Sequence, residues 1–221
     1  MEWSVTSGPA YAILRVKLSQ GEYVIAEPGA MMLIRGDVRV ETKSGGFLGG
    51  LKRALLGGES FFLNIYEAGP GSGEVWFAPG TPGDIAHVRV TPSDPWIVQK
   101  GSYLAHTGDL KITTAWRGGK GWLAEGSFWW LKLEGHGEAW VSSYGAIEEV
   151  EVPAGEKLIV DNMHLVAMPA SVNYKIVKIG GLKTFFFGGE GIGVEIRGPG
   201  KILVQTRILP PFARLIAGYR K

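Results

Sequence analysis

Val38-Arg39-Val40-Glu41-Thr42 alternates apolar and polar side chains, and a similar period of two runs through Leu110-Lys111-Ile112-Thr113 and Tyr174-Lys175-Ile176-Val177-Lys178. Such alternation is the pattern of a β-strand with one face buried and the other wet. Each of these strands follows a stretch that aligns with the other two without gaps: Ile25 to Leu33 (IAEPGAMML), Ile97 to Ala105 (IVQKGSYLA) and Ile159 to Ala167 (IVDNMHLVA). A second aligned block comes next, in Gly58 to Ile65 (GESFFLNI), Gly126 to Leu133 (GSFWWLKL) and Gly189 to Ile196 (GEGIGVEI). Glycine turns then lead into the strands Gly73 to Phe77, Gly137 to Val141 and Gly200 to Val204. A pattern that returns every ~60 to 70 residues reads as three copies of one β-unit.

The copies span about residues 1–90, 91–152 and 153–207, with a tail at 208–221. A β-unit of this size presents open strand edges and one apolar face, so the expected solution packs three of them about a shared pseudo-threefold axis. The expectation is one all-β domain of sandwich or double-stranded β-helix type, with no flexible linker between the copies. Two segments break the strand pattern. In Ser44 to Gly58, diglycines bracket Leu51-Lys52-Arg53-Ala54-Leu55-Leu56, a short helix-favouring loop with two positive charges and no negative one. After Pro210-Pro211, the residues Phe212, Leu215, Ile216 and Tyr219 fall at helical spacing, with Arg214, Arg220 and Lys221 as the charged complement.

Composition adds three constraints. The 34 glycines among 221 residues exceed the usual share, and turns that require positive φ account for much of the excess. Lys and Arg outnumber Asp and Glu by 23 to 21, so bulk charge does not select nucleic acid as a partner. With no cysteine there is no disulfide framework, thiolate metal site or thiol nucleophile. The first twenty residues lack a basic stretch followed by an apolar one, and no apolar run approaches ~18 residues, so a cytoplasmic, non-spanning protein is expected.

The four histidines, His87, His106, His136 and His164, never fall in a metal-binding spacing, and no cofactor is implied. Asp161 and His164 place a carboxylate and an imidazole in one turn, as general acid–base chemistry needs. Arg207, at the end of the last strand, offers a guanidinium that can orient an anion. These three form the candidate polar site, although a turn role for the pair and a solvated or intersubunit charge for the arginine are the commoner reading of such residues. Trp76, Trp96, Trp129, Trp130 and Trp140 can serve as stacking platforms for single-stranded nucleic acid, but their recurrence at matching positions fits repeated core packing better.

Glu27-Pro28-Gly29-Ala30-Met31, Gly57 to Phe62, Gly101 to Ala105, Ser142 to Gly145, Val160-Asp161 through His164 to Ala167, Gly189-Glu190-Gly191 and Gln205-Thr206-Arg207 occur in order over most of the chain. Together they resemble the altered-inheritance-of-mitochondria family, a domain of unknown function, with a departure at Met163, where the family favours Gly. The resemblance implies repeated units with a fold like that of the tryptophan RNA-binding attenuation protein. It implies no catalytic residue, and a fold shared with an RNA-binding ring does not carry RNA binding with it.

The expected function is therefore a non-enzymatic scaffold or binding protein that self-associates, a trimer being favoured over a dimer. Leu51, Lys52, Arg53, Leu55 and Leu56, together with Phe212, Leu215 and Ile216, are the expected contacts to a partner copy or to an anionic membrane surface. The alternative is an RNA- or small-ligand-binding module, with nucleic acid the less favoured ligand.

Overall fold

The computed structural model describes residues 1–44, 62–117, 129–179 and 192–219. The chain begins with β1 (Glu2–Thr6), β2 (Ile13–Leu18) and β3 (Tyr23–Ala26), followed by the long strands β4 (Met31–Ser44) and β5 (Phe62–Phe77). The same succession of short and long strands follows in β6 (Ile85–Val90), β7 (Trp96–Gln99), β8 (Tyr103–Arg117) and β9 (Trp129–Ser142). The remaining strands are β10 (Ile147–Val152), β11 (Lys157–Asp161), β12 (Leu165–Pro169), β13 (Asn173–Lys178), β14 (Ile192–Arg197) and β15 (Gly200–Gln205). An α-helix, α1 (Leu209–Gly218), follows β15 and is the one α-helix among the described residues. It starts one residue before Pro210-Pro211, where rings that fix φ and lack an N–H fit the first turn.

The long strands form antiparallel hairpins, β4 with β5 and β8 with β9. Each returning strand carries two short strands on its other side. β5 pairs with β2 through Gly73 to Phe77 and with β3 through Asn64 to Glu67. β9 pairs with β6 through Gly137 to Ser142 and with β7 through Trp130 to Leu133. Where the long strand passes from one short partner to the other, the hairpin bends. Gly36 and Gly108 sit there with φ of +80° and +84°, each opposite a backbone that a side chain would strike. A Cβ on Gly36 would lie 2.5 Å from Ser72 O, and one on Gly108 would lie 2.5 Å from His136 O. In the last third of the chain the bend becomes a break. β12 and β13 are separate strands, as are β14 and β15, so β15 pairs with β10 and β12 while β14 pairs with β11 and β13.

Consecutive thirds are joined by strand pairing. β3 adds to β8 through Ile25 opposite His106 and Ala26 opposite Ala105, and β7 adds to β12 through Ile97 opposite Met168 and Val98 opposite Ala167. These joints make one twelve-stranded sheet, with β11, β14 and β13 as a second, three-stranded sheet. A ladder between β11 and β4, which a closed ring of three units requires, is not among the pairings of the described residues.

Three apolar clusters fill the interior. The first gathers Leu14, Val16, Val24, Tyr66, Val75 and Phe77, the second Val88, Val98, Ile112, Leu133 and Val141, and the third Val152, Leu165, Met168, Val194 and Ile202. The joints cross between them, because Ile25 packs into the second cluster and Ile97 and Trp130 into the third. Each such side chain, fully buried, stabilises the fold by about 1.5–3 kcal/mol, so joining neighbouring groups of strands and folding them draw on the same term.

Gly36→Val and Gly108→Val each place a branched side chain at positive φ against a carbonyl, and each is expected to lower the unfolding free energy by about 1–3 kcal/mol. Gly155→Val, at φ +85° with nothing within 4 Å of the added carbon, is the control and should cost less. Urea denaturation of the three variants measures the difference.

Candidate functional site

Asp161 ends β11, and its carboxylate Oδ1 accepts the Met163 backbone N–H at 2.7 Å, an Asx turn that fixes the link to β12. Met163 needs no positive φ in this turn, which explains why methionine serves where the resemblance favours glycine. His164 N bonds back to Asp161 O at 3.0 Å, while its ring Nδ1–H donates to Gln205 O at 2.6 Å. Gln205 completes the knot. Its side-chain amide donates to Met163 O at 2.8 Å and accepts from Tyr144 N at 2.9 Å.

Arg207 stands two residues beyond Gln205, exposed, with Nη1 donating to Thr206 O at 2.9 Å. The fold thus brings the Asp161–His164 turn to the end of β15, near Arg207 in the chain. No hydrogen bond joins the Asp161 carboxylate to the His164 ring among the described residues. The carboxylate orders its own turn, and the imidazole ties that turn to a neighbouring strand.

Phe212, Leu215 and Ile216 lie on α1, which buries no residue. With Leu209 and Tyr219 they are exposed, and Phe212 meets the body through the Tyr144 ring at 5.9 Å between centroids. Leu51, Lys52, Arg53, Leu55 and Leu56 lie outside the described residues. Among the described residues, no group of three or more His, Asp or Glu is placed to hold a metal ion, and no helix is long and apolar enough to cross a membrane. Of the tryptophans, Trp130 and Trp140 are fully buried, and Trp76 lies under the Arg15 guanidinium at 4.0 Å. Packing and a cation–π contact occupy these rings.

A polar cluster that residue patterns did not single out sits at the joint of β3 and β8. The Tyr103 hydroxyl and His106 Nδ1 share a hydrogen bond of 2.5 Å inside the core, and His106 Nε2 has no hydrogen-bond partner among the described residues. Glu27 extends β3 towards them, its backbone N–H donating to Leu104 O at 2.9 Å. Burial pushes the Glu27 carboxyl up to about 7 and the His106 imidazole down to about 4. Burial, reinforced by Glu27, holds the Tyr103 hydroxyl well above its ordinary value. Tyr103 and His106 are fully enclosed and belong to the joint, while Glu27 at its edge is half-buried. A signal was available in sequence: Ile25 to Leu33 and Ile97 to Ala105 align, yet only the second unit has tyrosine and histidine at Tyr103 and His106.

The two groups make opposite demands on pH. His106 is easier to protonate in the unfolded chain, so its contribution is full above about 6.5 and is lost as pH falls towards 4. Glu27 binds its proton more tightly when folded, so its contribution is full below about 4.5 and is lost as pH rises through 7. Glu27→Gln should therefore remove the alkaline loss, gaining on the order of 2 kcal/mol relative to the native protein between pH 4.5 and pH 8. Thermal unfolding at the two pH values tests this, and parallel melting curves for both proteins would contradict it.

Residues 3–207 match the family described as Mitochondrial biogenesis AIM24. An uncharacterized protein of Streptococcus pyogenes serotype M6 is 26% identical over 233 residues, covering 99% of this chain and 91% of its own. A crystal structure of a Streptococcus pyogenes protein superposes with a TM-score of 0.81 at 25% identity, covering 99% of each chain. With the match running from β1 to the residue that follows the Gln205 knot and its Thr206 neighbour, the chain belongs to the Mitochondrial biogenesis AIM24 family.

Proposed function

We propose that this protein is a non-enzymatic, self-associating scaffold or binding protein, built of three β-units in succession and closing as a trimer. The observation that carries this reading is α1. A ten-residue helix with Leu209, Phe212, Leu215 and Ile216 exposed, and Tyr219 exposed at its C-cap, has an apolar face larger than isolated surface residues present. A helix this short is marginal in water on its own and gains stability when that face is covered. The polar groups best placed for chemistry are meanwhile engaged in turns and strand joints. Stacking on nucleic acid is the less supported alternative, since the packed rings of Trp130 and Trp140 are not offered to bases.

Light scattering at micromolar concentration should give about three times the 23.9 kDa chain mass, and replacement of Leu215 and Ile216 together by Ser should lower it. A mass equal to one chain throughout the concentration range would end this reading.

A second reading rests on the charge of the helix. Arg214 is its only charged residue within Leu209–Gly218, so the same face suits an anionic membrane surface, with the protein peripheral to it in the cytoplasm. In that case the protein floats with anionic vesicles at low salt, high salt releases it, and the double Ser variant stays at the bottom of the gradient. Binding to neutral vesicles alone would count against the electrostatic part.

A further inference from the structure

The two internal joints follow one rule. A short strand of one unit lies antiparallel on the outer edge of the strand that opens the next unit's hairpin, long β8 or short β12, and its isoleucine enters the neighbouring core. Ile25 does so on β8 and Ile97 on β12, where they are 4% and 6% exposed. The residue aligned with both is Ile159 on β11. It is 53% exposed, and among the described residues β11 pairs only with β14.

The receiving edge has a matching vacancy. β8 holds β9 on one side and β3 on the other, and β12 holds β15 and β7. β4 holds only β5. At the start of β4, Met31 and Met32 are 43% and 53% exposed, whereas the residues aligned with them, Tyr103 and Leu104 in β8 and Leu165 and Val166 in β12, are buried. One donor strand and one acceptor edge are thus left over, at opposite ends of the succession. Each has the partner chemistry of the other, an apolar short strand and a long strand with no second ladder among the described residues.

We propose that β11 of one copy adds antiparallel to β4 of a second copy, repeating the internal joint between molecules. Carrying over the register of Ile97 opposite Met168 and Val98 opposite Ala167 sets Ile159 opposite Ile34 and Val160 opposite Leu33. Ile34 already packs on the first cluster, so Ile159 of the incoming strand enters that cluster as Ile25 enters the second. Every copy both gives and receives, which makes the contact heterologous, and three copies close it into a ring. This rests on the self-association reading above and gives it a surface distinct from α1.

The absence of native cysteine permits a direct test. Ile159→Cys and Met32→Cys, both at exposed positions, are prepared as separate proteins, mixed at micromolar concentration and treated with a short bismaleimide. The mixture should give a species of two chain masses in several-fold excess over either protein alone, with the linked peptides containing residues 159 and 32. Ile159→Lys should bring the mass by light scattering down to one chain with an unchanged far-ultraviolet circular dichroism spectrum.

No excess cross-linking in the mixture, with light scattering still reporting an oligomer, would overturn this contact and leave self-association standing. A chain carrying both cysteines that links only to itself would show the edges closing within one molecule and would equally overturn it. A native protein that is monomeric and does not cross-link would remove both proposals.

Discussion

The ladder between β3 and β8 performs two tasks at once. It satisfies backbone donors and acceptors that an edge strand would leave to water, and it carries Ile25 into a core built around the following hairpin and shared with β5, β12 and β15. β7 and β12 repeat the arrangement with Ile97. Without these loans, each group of strands would be a two-sided sheet with an incomplete core. With them, no cluster is complete until its neighbour has formed, so the strands should lose structure together, as a cooperative unit.

Long hairpins make this lending geometrically feasible. A straight strand of fourteen to sixteen residues could serve partners in one sheet only, and the bends at Gly36 and Gly108 let one strand face two short partners in turn. The price of a bend is tight backbone contact, visible in the carbonyls of Ser72 and His136 that stand where side chains would be. In the last third, separate strands replace the bend, and a second sheet results.

Much of this order was legible in the chain. The period-two strands fall on β4, β8 and β13, because burial patterns are local properties. Of the three expected glycine turns only Gly200 opens a strand; Gly73 and Gly137 lie inside the continuous strands β5 and β9, where each meets a short partner strand. The helical spacing of Phe212, Leu215 and Ile216 was likewise local and corresponds to α1. What residue patterns could not convey was which short strand lies beside which long one. The Asp161–His164 pair looked catalytic because proximity along the chain was visible, whereas the engagement of His164 by Gln205, forty-one residues away, was not. The Tyr103–His106 pair was missed for the opposite reason. Both residues lie in a segment that alternates poorly, and only the arrival of β3 seals them from water.

The helix α1 contributes no buried side chain and meets the body through the Tyr144 and Phe212 rings, and the family match stops at residue 207, just before it begins. Substitutions there carry little folding penalty, in contrast to those in the joints, where a changed side chain disturbs two cores. Natural selection can therefore rewrite the tail while the β body stays under constraint. What the tail presents to its surroundings could then change without any change in the β body.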